Sequence, residues 1–500
     1  MKLSVLLESI KPLSVNPHSD PEIKGLAYDS RQVRPGYIFF ALKGRREDGQ
    51  LFIQDAAARG AAAVVLEQAG HAARGAVSVG KGQAVVLHVP DARQTMAQTA
   101  RAFYRNPSAK LKVIGITGTN GKTTTAFMIM NILDTAGFKP GMIGTVEYII
   151  GKRVIPATRT TPESVDLQQM LDQMVAADCH SAVMEVSSHA LVQKRAWGVD
   201  FDAAVFTNLT QDHLDYHETM EKYFQAKTLL FRNLDRGTKK PVALINIDDS
   251  FGERLANLPE IKTSVITYGL HALSAVRAFN LQLTGQGSAF EVISPWGPAK
   301  IALNLMGRYN ISNALAAFSA CGALGIEPKL MADVLQQMTF VPGRLEEIQT
   351  DAGFQVFVDY AHTEDALRNV LTALREITSG RLIVVFGCGG NRDTNKRPRM
   401  GAVAEELADF AIVTSDNPRR EEPGLIISQI LTGFKTREKV EVIPDRFEAI
   451  GRALFLAEKG DVVLIAGKGH ENYQEFTNTI IPFDDRQVVR ECLGIKDGKV

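Results

Sequence analysis

One stretch restricts the possible folds more than any other. Leu111–Thr117 has the character of a buried strand and leads straight into Gly118-Thr119-Asn120-Gly121-Lys122-Thr123-Thr124. A helical pattern then runs from Lys122 to about Ala136 and stops at Gly137. In this strand–turn–helix setting the glycines let the backbone fold tightly and turn N–H groups toward phosphate oxygens. The helix N-terminus adds partial positive charge. Lys122 can reach terminal phosphates, and the hydroxyl of Thr123 or Thr124 can ligate Mg²⁺. The spacing departs from the usual phosphate loop, because Ile116 occupies the first glycine position and Gly115 stands one residue earlier. The loop does not distinguish ATP from GTP. A glycine turn with a chance lysine is the bland alternative, which the flanking strand and helix disfavour.

The same logic repeats along the chain. Strand-length runs at Tyr37–Leu42, Ala62–Leu66, Ala182–Val186, Ala203–Phe206 and Val242–Ile247 are interspersed with helical stretches such as 91–104. From Pro342-Gly343 onward come Gln355–Tyr360, Leu382–Phe386, Asp409–Thr414 and Asp461–Ala466, with a helix over 364–377. Such alternation predicts an α/β protein with mainly parallel sheets covered by helices. With 500 residues the chain exceeds one hydrophobic core. We expect three domains: a smaller N-terminal α/β domain over 1–90, a central P-loop-type domain with helices on both sheet faces over 91–341, and a C-terminal Rossmann-like domain over 342–500. The polar segment 44–50 reads as a surface loop. Leu3 to Leu7 is apolar but is cut by Glu8, so it does not read as a signal peptide.

Polar motifs follow these strands where open parallel sheets bind ligands. Glu185 closes Met184-Glu185-Val186-Ser187-Ser188-His189; it is either a hard-oxygen ligand for Mg²⁺ or a solvated strand-end acid. Thr207–His217 packs two histidines and two aspartates, and His213 could bind a metal, cap or fill the core. Lys227 falls on the apolar stripe of a helix over 218–234, between Phe224 and Phe231, where it must snorkel, be paired or be chemically altered. Arg344 in Gly343–Glu346 could swing onto a phosphoryl group, and Asp359 could hold a ribose hydroxyl. Three further motifs carry Arg392, Asp416 to Arg419, and Gly467 to Glu471. If their strands are neighbours, both charge signs meet at one sheet edge. That suits a zwitterionic amino acid: arginine forks take a carboxylate, and Asp or Glu accept from an ammonium.

Together these residues resemble the Mur ligase family of peptidoglycan precursor synthetases. The most specific elements are Gly118–Thr124, Glu185–His189, Thr207–His213, Gly307–Asn313, Gly343–Glu346, Asp359–His362 and Asp416–Arg419. The resemblance implies an ADP-forming amide-bond ligase in which 1–90 binds a uridine-diphosphate substrate, 91–341 binds ATP and 342–500 binds an amino acid. It implies ATP contacts from Gly118, Thr119, Asn120, Gly121, Lys122, Thr123, Thr124, Asn310, Arg344 and Asp359. Thr123, Glu185, His213 and Lys227, the last as a carbamate, would surround Mg²⁺; catalysis would rest on Lys122, Glu185, His213, Lys227 and Arg344. Ser30, Arg45, Arg46 and Glu47 would hold the uridine diphosphate end. Thr160, Thr161, Ser187, Gln193 and Arg195 would hold the sugar-peptide. Arg159 stands where the family pattern carries a different polar residue, and no role is assigned to it. Arg392, Asp416, Asn417, Pro418, Arg419, Gly467 and Glu471 would bind the amino acid. The Asp416–Arg419 sequence matches the diaminopimelate-adding branch, whose lysine-adding relatives lack that arginine.

The expected substrates are therefore a UDP-muramoyl-dipeptide and meso-diaminopimelate, joined through an acyl phosphate. Balanced charge, 56 basic against 56 acidic residues, gives no bulk attraction for nucleic acid. No apolar run is long enough to span a membrane. Cys179, Cys321, Cys388 and Cys492 have no metal-ligand spacing, as in a reducing compartment. A cytoplasmic monomer is the expectation. Folylpolyglutamate synthase, which shares the phosphate loop, and a nucleotide-gated switch without ligation are the alternatives. Asp29-Ser30-Arg31 and the N-terminal region disfavour the first; the charged motifs of the third region disfavour the second.

Overall fold

The computed structural model describes residues 1–16, 19–44, 47–68, 84–284 and 287–495. The chain folds into two interleaved compact units: residues 1–115, 138–202 and 229–241 form one, and residues 116–137, 203–228 and 242–500 form the other.

The first unit begins with a five-stranded sheet in the order Ser14–Asn16, Val85–Val89, Ala63–Glu67, Tyr37–Ala41, Gly25–Ala27. All neighbours are parallel except the first pair. Successive side chains alternate between faces. Ile38, Phe40 and Val65 therefore pack with helices Leu3–Ile10 and Ala92–Phe103, while Phe39, Ala41 and Val64 pack with helix Ile53–Ala58. Burial on both faces is why these strands read as continuous apolar runs. The Leu3 run is the start of a helix whose Leu3, Leu6 and Ile10 are buried on one stripe. Asp48 caps a short 3₁₀ turn, Gly49–Phe52, in the segment expected as a loop. The unit also contains strands Ser181–Glu185, Pro140–Ile143, Glu147–Ile150 and Arg153–Pro156, parallel in the first pair and antiparallel thereafter.

In the second unit, Ala203–Phe206, Val242–Asn246, Ser264–Gly269 and Val276–Thr284 are parallel. Gly287–Ile293 and Ala299–Leu303 then complete an antiparallel meander that the sequence reading did not anticipate. A six-stranded sheet follows in the order Glu346–Ile348, Gln355–Asp359, Val462–Ala466, Leu382–Phe386, Phe410–Val413, Val440–Val442. It is parallel after its first pair. Phe357, Val384 and Leu464 bury one face beneath helices Glu364–Arg375 and Lys396–Leu407. Val358, Val385 and Ile465 bury the other beneath Arg446–Leu456 and Asp485–Cys492. Four parallel strands thus bring Asp359, Gly467, Gly387 and the Ser415-Asp416 turn to one edge, as the charged motifs require.

The helix expected over 218–234 runs Met220–Arg232. Glu218 takes a left-handed φ of 65°, which separates it from the short helix Leu214–His217.

Candidate active site

Lys112–Thr117 forms the strand before the phosphate loop, and Lys122–Thr135 the helix after it. Gly121 caps that helix with φ 85°, and a Cβ there would lie 2.3 Å from Asn313 Oδ1, so the position excludes a side chain. The loop is pinned by the strand end at 207–210. The Thr119 N–H donates to Asn208 O at 2.9 Å, the Asn120 N–H to Asn208 Oδ1 at 2.9 Å, and Thr207 Oγ1 to Asn120 O at 2.6 Å. Lys122 Nζ curls back onto Gly118 O at 3.0 Å and Thr119 O at 2.8 Å. Thr123 and Thr124 are buried.

Lys227 is buried beneath this loop, its Nζ donating to Gly118 O at 2.7 Å and lying 4.7 Å from the Tyr223 ring centre. Burial, reinforced by the Lys122 charge and only partly opposed by Asp212, holds its amine well below the usual lysine range. Snorkelling is thereby excluded. Asp212 is buried, which raises a carboxyl, but His213, Lys396 and His362 outweigh this and hold it below the carboxylate range. His213 sits at φ 55°, with Nε2 3.4 Å from Asp212 Oδ2. Burial and Lys396 push His362 down to about 4.

Arg344 reaches the same place: its Nη2 donates to Thr123 Oγ1 at 3.0 Å while its guanidinium stacks 4.6 Å over Tyr360. Asp359 accepts from the Leu345 and Ala361 N–H groups, each at 2.6 Å, tying the strand end to the 343–346 turn. Burial raises its pKa. Asn310 Oδ1 accepts from Asn313 Nδ2 at 2.9 Å, and its Nδ2 donates to Met306 O at 2.7 Å. Lys122, Thr123, Arg344 and Asn310, by way of Asn313, are thus linked around one loop.

A second cluster gathers at the six-stranded sheet edge. Lys468, fully buried, donates to Asn417 Oδ1 at 3.2 Å and Glu471 Oε2 at 3.1 Å. Asn417 Nδ2 donates to Glu471 Oε2 at 2.8 Å. Gly467, at φ 116°, leaves room for Asp416, whose Oδ2 would lie 2.6 Å from a Cβ there. Burial raises the Asp416 carboxyl, but Lys468 and Arg446 outweigh this and keep it low. Burial and the Asp416 charge raise Glu471. Arg419 takes φ 55°, pairs through Nε with Glu475 Oε2 at 2.9 Å and donates from Nη1 to Gly390 O at 3.0 Å. Arg392 is the outlier, exposed and donating to its neighbour Asn391 O at 3.3 Å.

In the first unit, Thr161 Oγ1 donates to Glu185 O at 2.8 Å and accepts from the Ser187 N–H at 3.1 Å. Arg195 donates to Thr161 O at 2.9 Å and Gln193 Oε1 at 2.7 Å. Thr160 Oγ1 lies 3.1 Å from Thr145 Oγ1, which donates to Glu185 Oε2 at 2.9 Å. Thr160, Thr161, Ser187, Gln193 and Arg195 therefore form one network, and Glu185 joins it. Ser30 bonds Asp55, while Asp29 and Arg31 form a fork closed at 2.9 and 2.7 Å. Arg45 and Arg46 lie outside the described residues; Glu47 is among the described ones, and its carbonyl accepts from the Gly44 N–H at 2.9 Å.

Sequence reasoning left out Asn313, Asp365, Lys468 and Glu475. Asp365 accepts from Asn120 Nδ2 at 2.7 Å. Asn313 and Lys468 stood inside quoted motifs and were legible there. Glu475 lies in a small hairpin, Tyr473–Glu475 with Ile480–Pro482, that carries no periodic signal. Among the described residues no three His, Cys, Asp or Glu side chains form a ready metal cage.

The chain as a whole has counterparts among known proteins. The description "Mur ligase family, catalytic domain" matches residues 22–104, "Mur ligase middle domain" residues 116–321, and "Mur ligase, glutamate ligase domain" residues 343–469. The UDP-N-acetylmuramoyl-L-alanyl-D-glutamate--2,6-diaminopimelate ligase of Caldanaerobacter subterraneus subsp. tengcongensis is 46% identical over 496 residues, 99% of each chain. The ligase of that name from Geobacillus kaustophilus is 45% identical over 497 residues, again 99% of each. A solved structure titled with the same ligase name superposes with a TM-score of 0.65 at 35% identity, covering 94% of this chain and 95% of the other. Similarity of this depth over the whole length, with three consecutive domain matches, means that the chain belongs to the Mur ligase family.

Proposed function

We propose that the chain is an ATP-dependent, ADP-forming ligase that joins meso-2,6-diaminopimelate to the D-glutamyl γ-carboxylate of UDP-N-acetylmuramoyl-L-alanyl-D-glutamate, a step of peptidoglycan precursor synthesis. The observation that carries the amino-acid choice is the sheet-edge cluster. Asp416 and Glu471 offer acceptors for an ammonium, and Arg419 offers a cation for the second carboxylate that distinguishes diaminopimelate from lysine. The partition 1–90, 91–341 and 342–500 is our assignment of substrate, ATP and amino-acid domains. Three buried free thiols fit a reducing cytoplasm.

The chemistry has two steps. The terminal phosphoryl of ATP passes to the γ-carboxylate, making an acyl phosphate. The diaminopimelate amine then attacks the carbonyl carbon; the C–N bond forms, the C–O bond to phosphate breaks, and the amine sheds a proton. The N–H groups of the 118–124 loop and Lys122 cradle the phosphates, and Arg344 offsets charge on the transferring group. Asn310 and Asp359 are the proposed nucleoside contacts. Ser30 and 45–47 take the uridine diphosphate end, and the network around Thr161 and Arg195 takes the sugar-peptide. In the second unit a buried Thr123 hydroxyl, His213 and Lys227, once carbamylated, would be the donors for a hard cation, and Glu185 keeps the metal role that the family resemblance implies for it. A buried, neutral Lys227 amine is the form that adds CO₂. Bound Mg²⁺ would supply neutralisation of the phosphate charge.

A coupled ADP-release assay with the UDP-muramoyl-dipeptide tests the reading. Turnover is expected with diaminopimelate, and lysine should be disfavoured by about 1.5–3 kcal/mol, the loss of a charge-assisted hydrogen bond at Arg419, whose pair with Glu475 remains. Arg419→Ala should lower kcat/KM for diaminopimelate about 100-fold while the KM for ATP holds, in line with that estimate. No turnover with either amino acid would refute the reading.

A further inference from the structure

The first unit holds a charge imbalance around Glu163, most of which the proposed chemistry leaves without a role. Glu163 stands at the N-terminal boundary of helix Ser164–Ala176, and its side chain is only 6% exposed. Three arginines from three separate segments converge on it: Arg93 at 3.4 Å, Arg159 at 2.9 Å and Arg195 at 3.1 Å. Nearby Lys194 is matched by Asp91. Asp166, one turn along the helix, accepts from the Tyr28 hydroxyl at 2.6 Å and feels both Glu163 and Arg159. Even with Asp166 ionised, three guanidiniums face two carboxylates, and the positive end of the helix adds to the excess. A surplus of arginine forks around a nearly buried acid is a site built for a further anion.

The location narrows which anion. Arg195 donates to Thr161 O, and Thr161 Oγ1 donates to Glu185 O, so Arg195 stands two hydrogen bonds from Glu185, a residue assigned to the metal that serves the reacting carboxylate. The D-glutamyl residue carries a second carboxylate a few bonds from the one that reacts, and it stays negative throughout. We propose that Arg93 and Arg159, beside Arg195, bind this free α-carboxylate and so make the chain select the α-acid over its α-amide. The inference rests on the substrate reading above, and it gives Arg159 the role the family pattern leaves blank.

Calorimetric titration with the UDP-muramoyl-dipeptide and with its α-carboxamide, for the wild type, Arg159→Gln and Arg93→Gln, tests it. The wild type should bind the acid about tenfold or more tightly than the amide, a difference of about 1.4 kcal/mol. Each variant should lose about that factor for the acid and little for the amide, with ADP affinity and melting temperature unchanged; Arg159→Lys should recover part of it. Equal losses for acid and amide would assign the arginines to the diphosphate or to structure and overturn the proposal, as would no loss at all. Failure of the wild type to bind either ligand would instead strike the substrate reading, and this inference with it.

Discussion

Lys227 shows how a single residue carries both a cost and a function. Its amine holds a proton less tightly in the folded chain than in water, because burial and the Lys122 charge disfavour the charged form. In the unfolded chain it titrates near its ordinary value of about 10.4. Between the depressed native value and that pH the unfolded state holds the extra proton, so this group makes stability rise with pH, by up to about 1.4 kcal/mol per pH unit. Lys227→Met should remove that contribution. Denaturation at pH 7 to 10 in CO₂-free buffer should show a flatter stability profile for the variant. Its stability at pH 7 should not fall by more than about 1 kcal/mol, because Gly118 O retains Lys122 as a donor. Ligation, by contrast, should drop by about 100-fold or more if the carbamate holds charge at the transferring group. A variant that kept full activity would remove Lys227 from the mechanism.

At the scale of elements, the sheet edge is held from beneath. Arg446, at the start of helix Arg446–Leu456, is fully buried against Asp485, which opens helix Asp485–Cys492. The pair closes at 2.8 Å through both Nε and Nη2, and Nη2 also donates to Ala466 O at 3.1 Å, the last residue before Gly467. One ion pair therefore fixes two helices and the strand tip that carries the amino-acid cluster. Asp485→Ala should cost about 3–5 kcal/mol, read as a drop in the denaturation midpoint, because it strands a buried guanidinium. The double variant Arg446→Met/Asp485→Ala should recover much of the loss; a single variant with wild-type stability would refute the account. Such a pair was not legible in the sequence, because nothing local links positions 446 and 485. The strands and the loops after them were legible, because burial on both faces writes an apolar run and a phosphate loop writes its glycines. The Val276–Leu303 meander and Glu475 escaped for the reason Arg446 did: their partners are set by tertiary pairing, not by period. Glu163 escaped as a hub because three of its contacts come from arginines spread over a hundred residues.

At the scale of the molecule, the chain carries no net charge, yet every proposed substrate is anionic or zwitterionic. Binding must then come from local clusters, and these divide between the two units. The residues around the phosphate loop and the sheet edge belong to one unit; the Thr161–Arg195 network, the arginine hub and Ser30 belong to the other. A ligand that binds only the native state stabilises it by about 2.7 kcal/mol at a hundredfold excess over its dissociation constant, and local protection follows the residues it touches. Hydrogen–deuterium exchange with each ligand alone should therefore separate the two. A non-hydrolysable ATP analogue should slow exchange in 118–124, 307–313 and 343–362. The UDP-muramoyl-dipeptide should slow it in 28–32, 159–163 and 187–195. The assignment fails if the nucleotide protects the second set and leaves the first unchanged, since the phosphate loop would then not be where the nucleotide binds.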